Sequence, residues 1–211
     1  MNKVFLLGAS MLMLSACSHD KQTLDSANVT KAMASYFETR GDLCLAKSEW
    51  PIDVADEEGH SGSRNALQMP ALERVGLVES SKAQVERTAE DGTKSTVNVT
   101  RYRLTDGGKK YYLPRAPHKF PSTNRYANVD HDFCAAKLSL DKIVGWESPA
   151  ADGPRQAVVT YTYKLAPAPW TADAGVRQVF PMVDTVIRGA GTLQLKETLV
   201  LTDAGWEAKD L

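Results

Sequence analysis

The chain is expected to adopt an α+β fold, with N-terminal helices and a hairpin followed by an antiparallel sheet carrying a small helical layer. Three observations point there. Val29, Ala32, Met33, Tyr36 and Phe37 fall at i, i+3, i+4, i+7 and i+8, one apolar stripe of a helix. Two runs of strand-forming residues flank the turn Glu90-Asp91-Gly92. Near the C-terminus, Val159, Tyr161, Tyr163 and Leu165 alternate with polar residues, as do Leu193, Leu195, Leu199 and Leu201.

The chain begins Met1-Asn2-Lys3 and continues as an uncharged run from Val4 to Leu14. This is the layout of a secretory signal. It is too short to span a hydrocarbon core of about 30 Å, which takes about 20 helical residues. The run ends Leu14-Ser15-Ala16-Cys17, and these residues resemble the lipobox of bacterial lipoproteins at all four positions. The resemblance implies cleavage before Cys17, a diacylglycerol on its thiol and a further acyl chain on the new amine. Each buried methylene contributes about 0.8 kcal/mol, so several chains anchor firmly where one holds marginally. In Gram-negative lipoproteins an Asp after the cysteine commonly means retention at the inner membrane. Ser18 therefore implies the periplasmic face of the outer membrane. The expected organisation is a signal peptide over 1–16, a lipidated tether over 17–25, a helix-plus-hairpin subdomain over 26–112, a linker over 113–128 and an antiparallel-sheet subdomain over 129–211.

The helix bearing the first stripe has Ser26 available as its cap and Gly41 as its stop. Trp50 to Gly62 reads as acidic and turn-rich, and Met69 to Gly76 as a short helix led by Pro70. Leu77-Val78 opens a strand through Val85, and Val97 to Leu104 returns it. Leu72-Glu73-Arg74-Val75-Gly76-Leu77-Val78, the hairpin, and Tyr102-Arg103-Leu104-Thr105-Asp106-Gly107-Gly108-Lys109 resemble the end of the recognition helix and the wing of winged-helix transcription regulators. The resemblance implies a winged-helix-like hairpin. Its DNA-binding role is not carried over, because an exported protein meets no chromosome and the short helix offers mainly Arg74.

Leu113 to Ser122 is proline-rich and lacks periodicity, which marks the expected linker. Beyond it, Leu138 and Leu140 start a strand-rich region, Asp152-Gly153-Pro154 reads as a turn, and Ala166 to Trp170 breaks the sheet. Val176 to Ile187, interrupted by Pro181, is expected to form one or two short helices. Asp42-Leu43-Cys44-Leu45-Ala46-Lys47 and Asp132-Phe133-Cys134-Ala135-Ala136-Lys137 share four of six residues, which raises an internal duplication that unrelated topologies would end.

The chain has 25 basic and 26 acidic residues, a balance that does not point to nucleic acid. The charges are unevenly placed. Asp42, Glu49, Asp53, Asp56, Glu57 and Glu58 crowd one stretch; Arg101, Arg103, Lys109, Lys110, Arg115, Lys119 and Arg125 crowd another, interleaved with Tyr102, Tyr111, Tyr112, Phe120 and Tyr126. Arg101, Tyr102, Arg103, Lys109, Lys110, Tyr112 and Arg115 are accordingly candidate contacts for an anionic envelope component or an acidic partner, against the alternative of a solvated hairpin whose aromatics are core. Once Cys17 is acylated, Cys44 and Cys134 remain, and an oxidising compartment favours a bridge between them; two buried thiols are the alternative.

Motifs for catalysis are scarce: there is no Gly-x-Ser-x-Gly elbow, no His-Glu-x-x-His and no phosphate-cradling loop. No cofactor or metal is expected. Asp130-His131-Asp132 reads as a solvated loop, and Glu197, between Leu195 and Leu199, as a bulge or sheet-edge residue. Trp50, Trp146, Trp170 and Trp206 read as core or corner packing, against the alternative of an aromatic groove for glycan or peptide. The expected function is a non-catalytic, lipid-anchored binding module of the envelope, with the membrane and a protein or envelope polymer as partners. Alternatives are an immunity or inhibitor lipoprotein directed at a periplasmic toxin or lytic enzyme, and an envelope hydrolase using Glu197 or a histidine.

Overall fold

A computed structural model describes residues 20–121, 129–148 and 155–211, with only the backbone at 59–61. The expected signal peptide and Cys17 lie outside the described residues, as do Arg125, Tyr126 and the expected turn at Asp152. In chain order the elements are α1 (Ser26–Arg40), β1 (Asp42–Cys44), β2 (Ile52–Ala55), α2 (Asp56–Ser61), α3 (Arg64–Arg74), β3 (Val78–Thr88), β4 (Lys94–Leu104), α4 (Asp106–Lys109) and β5 (Tyr112–Pro114). They continue with β6 (His131–Glu147), β7 (Gln156–Pro167), a 3-10 turn (Pro169–Ala172), α5 (Ala174–Val179), α6 (Pro181–Gly189), β8 (Leu195–Thr202) and β9 (Gly205–Ala208). The fold is α+β: N-terminal helices with a winged-helix-like hairpin, then an antiparallel sheet with a small helical layer. Among the described residues no helix is long and apolar enough to cross a membrane.

Helix α1 buries Val29, Ala32, Met33 and Phe37, four of the five residues of its stripe. Its cap is Asp25 rather than Ser26, because the Asp25 carboxylate accepts the Asn28 N–H at 3.0 Å. Replacing Asp25 with Ala is expected to cost about 1 kcal/mol, read as a lower denaturation midpoint at unchanged slope. Gly41 ends the helix for a steric reason. A Cβ there would lie 2.3 Å from the Phe37 carbonyl oxygen and 2.5 Å from that of Leu138, so only glycine lets β6 approach.

Two sheets form. One runs β1-β6-β7-β8-β9, with β5 also on β6; the other runs β2-β4-β3. Strands β1 and β5 pair with successive parts of β6: Cys44 faces Cys134, and Tyr112 faces Phe133. Cys44 and Cys134 are joined by a disulfide. Helix α3 starts earlier than its proline suggested, with the Ser63 hydroxyl accepting the Ala66 N–H and Pro70 inside the helix.

Elements from both sides of residues 113–128 share each core. In one, Met69, Leu72, Val78 and Tyr102 meet Phe133, Trp170, Val176, Phe180 and Val183. In the other, Val29, Met33 and Phe37 of α1 meet Val159, Tyr161, Tyr163 and Leu199. The proline-rich stretch is itself pinned where Arg40 donates to the carbonyls of Ala116 and Pro117.

The six-residue matches around Cys44 and Cys134 meet as antiparallel neighbours. Each is followed by a strand, two helices and two further strands, but the pairings differ. β2 lies on β4, the last strand of its set, whereas β7 lies on β8, the first of its hairpin. Shared element order with different sheet order does not support duplication.

Candidate functional site

The hairpin is the most prominent surface feature. Strand β2 pairs with β4 only as far as Ala55 opposite Val99, while β3 and β4 stay paired from Gln84–Asn98 out to Thr88–Lys94. The outer part therefore extends beyond the three-stranded sheet, mostly exposed and polar. Gln84 donates to Asn98 at 2.9 Å and Lys94 to Glu86 at 2.8 Å, cross-strand pairs of the kind that hold a hairpin in register. The hairpin is braced from α2, where Asp56 pairs with Lys82 at 3.3 Å and Glu58 reaches Arg87 of the outer part at 3.1 Å.

The expected contact residues separate into three groups. Tyr102 is buried core, and the half-buried Tyr112 donates its hydroxyl to the Ser48 carbonyl. Arg101 faces Asp53 across β4 and β2 and grips its carboxylate with two bonds of 2.7 Å. That grip holds the Asp53 carboxyl below the usual carboxylate range. Arg115 is mostly buried against the Cys44 sulfur, 3.3 Å away, with Asp42 at 3.7 Å. Arg103, Lys109 and Lys110 remain exposed; Arg103 reaches Ser81, and Lys109 reaches Asp106 one helical turn away. The acidic stretch 42–58 and the basic stretch 101–125 are thus partly each other's partners, through Asp53–Arg101 and Asp42–Arg115.

Two polar clusters lie inside the fold. Asp132, expected in a solvated loop, is buried and accepts the backbone N–H groups of Ala46 at 3.2 Å, Lys47 at 2.7 Å and Phe133 at 2.7 Å. These bonds tie the chain leaving β1 to the start of β6. Lys47 is also buried, donating to Asn65 at 2.8 Å, and burial together with the nearby Arg64 pushes its amine down to about 8. His131 stacks on Tyr112, their ring centroids 5.1 Å apart.

Glu197 sits opposite Val159 on the face of the large sheet that α1 covers, and is 7% exposed. It is not in a bulge, because β7 and β8 keep one register through it, and being buried it is not at an exposed edge, although β9 pairs with β8 only from Leu199 onward. Burial, with Asp210 nearby, raises its carboxyl to about 7, against the Thr198 N–H at 3.0 Å and the Tyr36 hydroxyl that favour the charged form. The alternation of Leu195, Glu197 and Leu199 was the sequence signal for this position. Of the tryptophans, Trp170 is buried among Tyr111 and Phe133, while Trp50, Trp146 and Trp206 are half-buried at the margins of the two cores.

Compared with known protein families, curated proteins and solved structures, the chain matches none.

Proposed function

We propose that this chain is a lipid-anchored periplasmic module that binds another component of the cell envelope without catalysing a reaction. The observation that carries this reading is the leader closing on Leu14-Ser15-Ala16-Cys17, a pattern that resembles a lipoprotein lipobox. The Cys44–Cys134 disulfide supports it, since structural disulfides belong mainly to oxidising compartments. Ser18 favours the periplasmic face of the outer membrane over the inner one.

The preferred contact is the exposed outer hairpin with Arg103 and Lys110 at its base. Arg101 and Tyr102 act indirectly, one clamping β2 to β4 and the other filling the core beneath. A protein or an anionic envelope polymer fits this surface, whose polar side chains offer hydrogen bonds and whose exposed cations, Arg103 and Lys110 among them, offer charge complementarity.

The test is photocrosslinking in cells from a benzophenone side chain at the exposed Thr96 or Asn98 of the lipidated protein. A discrete adduct from these positions, weakened by Arg103→Glu with Lys110→Glu, is the expected result. Adducts only from residues remote from the hairpin would overturn the assignment of the contact. One stoichiometric protein adduct would select an inhibitor or immunity role; a polymer adduct would select a scaffold.

A further inference from the structure

We infer that the N-terminal segment acts as a short, docked strap, setting the end of the molecule that carries Lys21, Trp206 and the β8–β9 turn against lipid headgroups while the hairpin is presented away from the membrane. This rests on acylation of Cys17 as proposed above.

The stretch expected to be a loose tether is fastened to the body from Asp20 onward. The Asp20 side chain accepts the Gln22 N–H at 2.9 Å, and its carbonyl accepts the Thr23 N–H at 3.1 Å. The Asn28 side chain, in the first turn of α1, donates to the carbonyls of Asp20 and Thr23 at 2.9 and 2.8 Å. From β9, the Trp206 indole donates to the Gln22 carbonyl at 3.2 Å. Gly205 completes the seat. Its φ of +114° favours glycine, and a Cβ there would lie 3.1 Å from the Lys21 carbonyl oxygen.

Cys17 precedes Asp20 by three residues, which reach about 10 Å at full extension. Lipid on Cys17 therefore keeps the docked segment within about a headgroup layer of the acyl chains. The chemistry at this end suits that layer: exposed Lys21 and Lys31 line a cleft of about 110 Å³ together with Trp206. Cations and an indole are the side chains that favour a polar membrane interface.

Helix α1 runs from this end toward the other core and is about 22 Å long at 1.5 Å per residue. Its far end is held by Gly41 against Leu138, and the chain passes directly into β1 and the disulfide. The core containing β2, α3 and the hairpin base lies beyond that point. A docked strap thus gives the hairpin a defined direction, which a flexible tether would not.

The experiment uses the full lipidated protein in vesicles of phosphatidylethanolamine and phosphatidylglycerol, with a benzophenone side chain at the exposed Ala204 or at the exposed Asp91 of the hairpin tip. Thr23 and Glu90 form a second pair should either substitution disturb folding. Phospholipid adducts at Ala204 and Thr23, with none at Asp91 and Glu90, are expected. Inserting between Ser18 and His19 a Gly-Ser spacer with an average reach of about 20 Å should remove the adducts while the protein stays vesicle-bound. Equal yields at both ends, or yields indifferent to the spacer, would overturn the inference. An unacylated Cys17 in the intact mass would instead fault the anchoring itself, so the two failures are distinguishable.

Discussion

Replacing Cys44 and Cys134 together with alanine is expected to destabilise the protein by about 4.5 kcal/mol, the chain-entropy contribution of closing a loop of this length. The two cysteines are 90 residues apart in sequence, so the bridge restricts a large part of the unfolded chain. It also fastens β1, a strand of three residues, to the long strand β6. At about 2–4 °C per kcal/mol for a chain of this size, the melting temperature should fall by roughly 10 °C. Thermal unfolding of the double variant, compared with the oxidised protein, measures this directly. A fall of only a degree or two would mean that the two shared cores, not the bridge, hold the halves together.

Glu197→Gln is expected to stabilise the protein above neutral pH and to leave it unchanged in acid. The Glu197 carboxyl has an ordinary value of 4.5 and is raised to about 7 in the fold. Its protonated form is therefore favoured by folding. That contribution is fully present below about pH 4.5 and is lost as pH rises through about 7. By pH 8 the loss amounts to about 3 kcal/mol, at 1.36 kcal/mol per pH unit of displacement. Tyr36, Tyr161 and Asp210 face the carboxyl, and burial beside it also pushes the Tyr161 hydroxyl up, to about 12. Glutamine keeps an acceptor for the Tyr36 hydroxyl and the Thr198 N–H while carrying no charge. Denaturation of the two proteins at pH 4.5 and pH 8 should give curves that coincide at the first and separate at the second. Lys47, whose amine titrates near 8, contributes equally to both and cancels from the difference. A variant equally or less stable at pH 8 would mean that Glu197 is held charged by partners stronger than its desolvation.

Much of the fold could be read from periodicity. The stripe of α1, the hairpin and the alternation of β7 are all local patterns, and local patterns survive without knowledge of the partner surface. What escaped reading was set by contacts between distant segments. Pro70 suggested a helix start, but Ser63 caps α3 a turn and a half earlier and the helix carries the proline within it. β2, four residues in an acidic stretch, was too short to announce itself; it exists because β4 offers it an edge. Asp132 showed nothing in sequence of its three backbone partners, two of which lie more than 80 residues away.

The candidate surface shows the same division. Counting charges along the chain displayed an acidic block and a basic block, and each looked available for a partner. In the fold Asp53 takes Arg101 and Asp42 approaches Arg115, so part of each block is spent internally. Arg103 and Lys110 are left facing outward. Glu197 was visible as an acid on an apolar face, and its burial follows from α1 covering that face, a contact no local pattern contains.

Anchoring through Cys17 is tested most directly by the intact mass of the protein extracted from membranes of cells producing the full chain. The expected species is residues 17–211 carrying a diacylglyceryl group and one further acyl chain, with Cys44 and Cys134 together two hydrogens lighter for their bridge. Residues 1–211 with an unmodified Cys17, recovered in the soluble fraction, would contradict it.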